Sequence, residues 1–315
     1  MTNNMLKVLI SSRSFGKIDS GAMKLLDRAG LKSDLNPYGR KLEENELIQL
    51  LDDAVGVIAG TEKITEKVLS NAEKLKVISR YGVGMDNVDL NTANQKGILV
   101  FNTPETPSIA VAELTITLIL NLLKKTNKHD QKVKQNQWKP EIGNLLSEKT
   151  IGIIGLGRIG KKLVQMLKGF NVKIIAYDIK PDGEFIQNNN IETTTLNTLL
   201  QKSDIITLHL PITEETKNIL GEKQLQMIKP HAIIINTARG GLIDENTLYN
   251  MLKNKKIAGA AMDAFEQEPY TGKLKELDNV ILTPHIGTFT VETRKNMEIE
   301  AANNLINGLK KVGVL

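Results

Sequence analysis

Short apolar runs rich in isoleucine, valine and leucine recur along the chain, alternating with stretches whose apolar positions return every three or four residues. The runs have the length of strands buried on both faces, and the stretches have the period of helices packed along one side. Strands are predicted over residues 6–11, 33–36, 55–59 and 75–79, with helices over 22–29, 43–52 and 65–72 between them. After Leu99 and Val100, the two prolines of FNTPETPS break regular structure before a long helix over about 108–127, the predicted crossing from one domain to the next. A polar, lysine-rich helix follows to Trp138, and Pro140 with Gly143 marks a loop. Alternation then resumes, with strands at 151–154, 172–177, 204–208, 231–235, 257–261 and 279–282. Helices begin near Ile159, Leu196, Glu222, Glu245 and Val291, and the last runs almost to Leu315 and is expected to pack back on the first domain. Such alternation predicts two α/β domains, each a doubly wound parallel sheet with helices on both faces, and the first hundred residues read as a complete one.

One junction in this pattern carries a ligand signature. IGIIGLGRIG (151–160) is a β-branched run, three glycines and the start of a helix, followed by a second strand ending in Asp178. In a dinucleotide-binding βαβ unit, Gly155 permits the tight turn, Gly157 lets backbone approach the pyrophosphate, and Gly160 lets helix and strand pack closely. Amide groups and the helix dipole hold the phosphates, while Asp178 accepts from the ribose hydroxyls and repels a 2′-phosphate. The cofactor expected is therefore NAD rather than NADP.

Composition narrows the field. At 315 residues, two domains is the natural expectation, and 41% hydrophobic content suffices for both cores. The charge of +5 suits a small anionic substrate and gives no reason to expect nucleic acid. The densest basic run, Lys124 to Lys139, reads as a solvated helix face. With no cysteine, disulfides, thiol nucleophiles and thiolate metal sites are excluded together, and no histidine spacing suggests a metal. Residues 5–10 are too short an apolar run for a signal peptide, and polar residues interrupt the apolar stretch 111–123, so a cytoplasmic protein without membrane contact is expected.

The remaining chemistry sits where later strands end. NTARGGLID places Arg239 on a glycine-rich turn, MDAFEQEP places Asp263 and Glu268 after the next strand, and TPHIG places His285 after the one following. Oxidising a 2-hydroxy acid needs a base for the hydroxyl proton, a cation for the carboxylate and forming carbonyl, and a hydride acceptor. His285 fits the base, Glu268 would orient its imidazole and stabilise the protonated form, and Arg239 would fork onto the carboxylate. His209, in LHLP, is placed to line the cofactor cleft; His129 and His231 read as surface or loop residues.

These segments, together with YGVGMDNVD (81–89) and VAEL (111–114), resemble the D-2-hydroxyacid dehydrogenase family, especially its 3-phosphoglycerate dehydrogenase branch. The resemblance implies a Rossmann NAD-binding domain (103–283) inserted into a flavodoxin-like substrate domain made of 1–102 and 284–315. It implies that Arg158 and Ile159 flank the pyrophosphate and that Asp263 holds the carboxamide. His209, Pro211, Thr237, Ala238 and Gly287 complete the cofactor set. Tyr81 and the amides of Val83 and Gly84 would meet the substrate beside Arg239 and His285. A homodimer joined through the NAD domains, with residues 108–140 at the interface, is also implied. The implied reaction is oxidation of D-3-phosphoglycerate, the first step of serine synthesis. Reduction of glyoxylate, hydroxypyruvate or another small 2-oxo acid is the enzymatic alternative, and an NAD(H)-sensing binding protein the non-enzymatic one. The sequence ends after the closing helix, so a C-terminal regulatory domain and control by serine are not expected. The loop AGTEKIT lacks the arginine that some relatives offer a substrate phosphate, and Arg40, Lys63 and Arg80 are the candidate substitutes.

Overall fold

The computed structural model describes residues 5–315. Two compact units emerge, the chain through Pro107 together with Thr288–Leu315, and Ser108–Gly287. Both boundaries fall a few residues beyond the expected 102/103 and 283/284, because the chain between holds to the first unit through Thr106 and to the second through Asp263.

The first unit is a five-stranded parallel sheet, β1 (Leu6–Ile10), β2 (Leu31–Leu35), β3 (Gly56–Ala59), β4 (Val77–Arg80) and β5 (Leu99–Phe101), in the order β2-β1-β3-β4-β5. That order is the flavodoxin-like one. The strands alternate strictly: Leu9, Val57 and Ile78 face α2 (Glu44–Leu51), α3 (Glu66–Asn71) and α4 (Leu90–Gln95). Val8, Ile10, Ile58 and Val77 face α1 (Gly21–Arg28) and the last helix, α12 (Val291–Lys311). Met297, Ala301, Leu305 and Leu309 of α12 are all buried there, so the first hundred residues do not complete the domain they begin. Their second sheet face would otherwise lie open to water.

The second unit opens with α5 (Pro107–Lys124) and α6 (Thr126–Lys134), the expected crossing helix and lysine-rich helix, separated by Lys125 at φ +55°, about three residues earlier than the expected boundary near 127. Its sheet comprises β6 (Thr150–Ile154), β7 (Lys173–Tyr177), β8 (Glu192–Thr193), β9 (Ile205–Leu208), β10 (Ile233–Asn236), β11 (Gly259–Met262) and β12 (Val280–Leu282). The order β12-β11-β10-β9-β6-β7-β8, parallel throughout, is the doubly wound dinucleotide arrangement, with its switch point between β6 and β9. Ile151, Ile153, Ile233 and Ile235 pack toward α5 and α7 (Arg158–Leu167). Ile154 and Ile234 pack on the other face, toward α9 (Leu196–Lys202), α10 (Glu222–Leu225) and α11 (Glu245–Lys253). The short α8 (Gly183–Asn188) follows β7. By length and composition α5 is apolar enough to span a bilayer, contrary to the expectation from its interrupting polar residues. Its Ala112, Leu118, Ile119 and Leu123 are instead buried in the core, the environment that selects an apolar helix in a doubly wound sheet.

Candidate active site

The turn between β6 and α7 has the shape its glycines predict. Gly155 lies at φ +98°, and a methyl group there would sit 2.6 Å from the His209 carbonyl oxygen. A methyl at Gly160 would sit 2.2 Å from the Gly155 carbonyl oxygen, so the helix meets the turn without room for a side chain. Gly157, the N-cap of α7, has nothing within 4 Å of where its Cβ would be. The first turn of α7, from Arg158 onward, directs its amides toward that open side, as a helix N-terminus does. Asp178 braces the turn, with Oδ2 accepting from the Leu156 amide at 2.7 Å and Oδ1 from the Lys180 amide at 2.7 Å. Its remaining lone pairs lie at the β7 end, where a ribose would bind. A tight turn, an open phosphate side, a helix N-terminus and a braced acid together fit a dinucleotide.

Across the switch point, His209 is only 9% exposed, and burial pushes its imidazole down to about 3. The neutral ring pairs with the Thr207 hydroxyl at 3.0 Å. Thr237 is also buried, its hydroxyl 2.9 Å from that of Thr115 on α5, with Ala238 buried beside it. Pro211 and Arg158 are exposed, Ile159 is half-buried and Gly287 is buried.

Three neighbouring strands then deliver the polar set to one edge. At the end of β10, Asn236 holds the Arg239 loop through a 2.8 Å bond to the Arg239 carbonyl, and the guanidinium donates to the Ala238 carbonyl at 2.8 Å. The next residue, Gly240, lies flush against the loop after β11: a methyl there would sit 1.9 Å from the Phe265 carbonyl carbon and oxygen. That contact brings the arginine loop and the glutamate loop together. At the end of β12, His285 adopts φ +54°, a left-handed conformation uncommon for a side-chain-bearing residue. Its Nδ1 lies 2.9 and 3.0 Å from the two oxygens of Glu268, leaving Nε2 for a reacting group. Burial pushes the Glu268 carboxyl up, but the hydrogen bond and charge of His285, aided by Arg239, bring it below its ordinary value.

Asp263, expected to hold the carboxamide, is bonded to the turn that carries His285. Its Oδ1 accepts the Thr283 hydroxyl at 2.6 Å and the Ile286 amide at 2.8 Å, and its Oδ2 accepts the Gly287 amide at 2.9 Å. Both oxygens accept from the turn that carries His285, and the residue is 1% exposed. Burial pushes its carboxyl up against the pull of these donors. Asp263 is thus the anchor of the histidine turn, a contact that strand-end reading could not separate from cofactor binding.

The first unit's glycine loop, residues 81–84, is built from its own neighbours. Thr103 N donates to the Gly82 carbonyl at 3.0 Å, and Asn102 Nδ2 donates to the Val83 carbonyl at 2.8 Å. Among the described residues, no backbone carbonyl accepts from the amides of Val83 and Gly84. Tyr81 differs from expectation: it is buried, its ring against Phe15 and under the Arg294 guanidinium, and it anchors the loop instead of facing substrate. Two of the three phosphate candidates are also committed elsewhere. Arg40 forks onto Glu46 at 2.9 and 2.6 Å, and buried Arg80 donates to the Asn87 side chain and the Tyr81 carbonyl at 3.0 and 2.6 Å. Lys63 is exposed. Of the other histidines, His129 accepts the Glu141 amide and His231 pairs with Asp204, both remote from this edge in sequence and fold.

Fold and site together define an NAD-binding α/β protein with an arginine and an acid-oriented histidine at the carboxyl edge of its cofactor sheet. Residues 116–287 match the family profile described as the D-isomer specific 2-hydroxyacid dehydrogenase NAD binding domain. The chain belongs to that family. It is 42% identical over 296 residues, 92% of its length, to a D-3-phosphoglycerate dehydrogenase of Methanocaldococcus jannaschii. It spans only about half of that relative, 55% of its length. It is 41% identical over 86% of its length, and 83% of the relative's, to a glyoxylate reductase of Thermococcus litoralis. Among solved structures, the TT0316 protein of Thermus thermophilus superposes with a TM-score of 0.90, at 32% identity and over 97% of each chain.

Proposed function

We propose that the chain is an NAD-dependent oxidoreductase interconverting small D-2-hydroxy acids and 2-oxo acids. The observation that carries this reading is the Glu268–His285 pair at 2.9 Å on the edge that also bears Arg239. A cofactor sensor has no need of an imidazole held by a carboxylate with its second nitrogen free. In the oxidative direction, His285 Nε2 takes the hydroxyl proton, and Glu268 holds the ring and offsets the charge it gains. Arg239 holds the substrate carboxylate and polarises the forming carbonyl. Residues Gly155 to Gly160, Asp178, His209 and Thr237 would hold NAD, which when bound accepts the hydride. In reduction, His285 returns the proton to the carbonyl oxygen.

D-3-phosphoglycerate, with a role in serine synthesis, is supported by the identity to the Methanocaldococcus relative. A specific observation favours a smaller substrate: Arg40 and Arg80 are tied to Glu46 and to the glycine loop, leaving Lys63 alone of the three proposed phosphate ligands. Glyoxylate or hydroxypyruvate needs no such ligand. The test is NADH oxidation with phosphohydroxypyruvate, hydroxypyruvate, glyoxylate and pyruvate in parallel. Preference for the phosphorylated compound, lost in Lys63→Ala, selects the first substrate, and equal or better turnover of glyoxylate selects the second. Cofactor binding with no turnover across the panel refutes the enzymatic reading. A homodimer through exposed Val133, Trp138, Ile142 and Leu145 is also proposed, since so much apolar surface in one stretch invites a partner.

A further inference from the structure

The glutamate loop after β11 is held from a side the catalytic set does not use. Glu245 is the first residue of α11, where an acid is ordinarily explained by the helix dipole. Here the cap is already supplied by Asp244, whose Oδ1 accepts from both Asn246 and Thr247 at 3.0 Å. The Glu245 carboxylate turns instead to the Glu266 amide, 21 residues away, and accepts from it at 2.8 Å. The same peptide, between Phe265 and Glu266, is the one against which Gly240 is packed. Its other neighbours complete a clamp: the Phe265 amide donates to Glu268 Oε1 at 3.2 Å, and the Phe265 ring stacks on Tyr270 at 4.3 Å.

We propose that Glu245 is a positioning residue for the Glu268–His285 pair, acting through the 265–266 peptide; the proposal rests on the oxidoreductase reading above. Gly240 fixes how closely that peptide approaches the arginine loop, and Glu245 fixes its orientation by accepting the amide hydrogen bond. The neighbouring amide, that of Phe265, is the one Glu268 accepts, so the acid's position follows from the clamp. The arrangement carries an electrostatic cost that a mere dipole partner would avoid. Burial pushes the Glu245 carboxyl up, the Glu266 amide pulls it back, and the charges of Glu266 and Glu268 push it up again. An acid kept beside two others points to a bond the loop requires.

The test compares Glu245→Ala with Glu245→Gln, which keeps an oxygen to accept the Glu266 amide. Three readouts are needed: kcat for NADH oxidation with glyoxylate and hydroxypyruvate, NADH affinity by fluorescence, and deuterium uptake of the 264–268 segment by mass spectrometry. The alanine variant is expected to lose about tenfold in kcat with NADH affinity changed less than about twofold, and to exchange faster over that segment. The glutamine variant is expected to stay within about threefold of the parent in kcat and to retain slow exchange. Alanine kcat within about twofold of the parent, or glutamine no better than alanine, overturns the proposal. A parent that turns over no 2-oxo acid refutes the oxidoreductase reading instead. The exchange measurement then decides for Glu245 alone, unchanged uptake in Glu245→Ala counting against it and faster uptake for it.

Discussion

Gly240→Ala is the perturbation whose effect can be worked most directly from the geometry. The added methyl would lie 1.9 Å from the carbonyl carbon and oxygen of Phe265 and 2.4 Å from the Glu266 nitrogen. All three are backbone atoms, so no side-chain rotation relieves the overlap. Reaching an ordinary contact near 3.4 Å requires the Arg239 and Glu268 loops to part by about 1.5 Å. Overpacking of this kind costs about 1–3 kcal/mol of stability, enough to lower the melting temperature by several degrees. The rate should suffer more, because displacing reacting groups by about 1 Å costs on the order of 100-fold. That loss equals about 2.7 kcal/mol of transition-state stabilisation. Gly241→Ala is the control: its methyl meets only Ile212 Cδ1 at 3.4 Å, but its φ of +77° strains any side chain. It should therefore lower stability by about 1 kcal/mol with a much smaller effect on kcat. The assay is saturating NADH oxidation with the best 2-oxo acid, beside thermal melts of both variants. If Gly240→Ala keeps kcat within about twofold of the parent, the arginine and glutamate loops do not depend on this contact and the reasoning fails.

Four further outcomes rest on the same structure. Gly157→Ala should leave the melting temperature unchanged, since nothing lies within 4 Å of the new methyl, while weakening NADH by at least about tenfold because it occupies the phosphate side. Gly160→Ala, whose methyl would meet the Gly155 oxygen at 2.2 Å, should lower both stability and affinity, and parallel fluorescence titrations and melts separate the two cases. Burial opposes ionisation of Glu268, but its bond to His285 prevails and its folded-state carboxyl lies below the ordinary value. The parent should accordingly hold an advantage over Glu268→Gln above about pH 4.3 and lose it as pH falls through the lowered value, which melts across about pH 3–7 would show. Finally, Trp138 and Ile142, 87% and 93% exposed, should carry the proposed dimer, so Trp138→Lys with Ile142→Asp should halve the mass seen by light scattering; an unchanged dimer places the interface elsewhere.

Much of this architecture is legible in the chain because its strands are buried on both faces. Ile205–Leu208 and Ile233–Asn236 are wholly buried, and runs of that composition have few other places in a fold. The elements that escape notice lack that signal. β8 is a two-residue edge strand, Glu192–Thr193, and α4 and α8 are six residues each, with too little apolar content to show a period. The boundary between the crossing helix and the lysine-rich helix is placed about three residues late because the break at Lys125 is a left-handed residue without glycine or proline to announce it.

The candidate site divides along the same line. Arg239, Glu268 and His285 stand out because a charged residue just beyond a buried strand must face the ligand edge of a parallel sheet. What holds them in place comes from distant segments. Asp263 reaches the turn of His285 across 23 residues, and Glu245 reaches Glu266 across 21, so neither bond leaves a local pattern. Arg80 shows the converse error: at a strand end it resembles an anion ligand, yet its guanidinium turns inward to brace Asn87 and Tyr81. Strand-end position marks the edge on which a charged group lies, and only its hydrogen bonds tell whether it faces a ligand or the loop behind it.

The central claim, that His285 is the acid–base group of an NAD-dependent 2-oxo acid reductase, is tested most directly by His285→Asn. The variant and the parent are to be compared in NADH binding by fluorescence and in single-turnover NADH oxidation with glyoxylate and hydroxypyruvate. NADH affinity within about twofold of the parent and a rate lower by about 10³ are expected. A rate within about tenfold of the parent at unchanged affinity would contradict it.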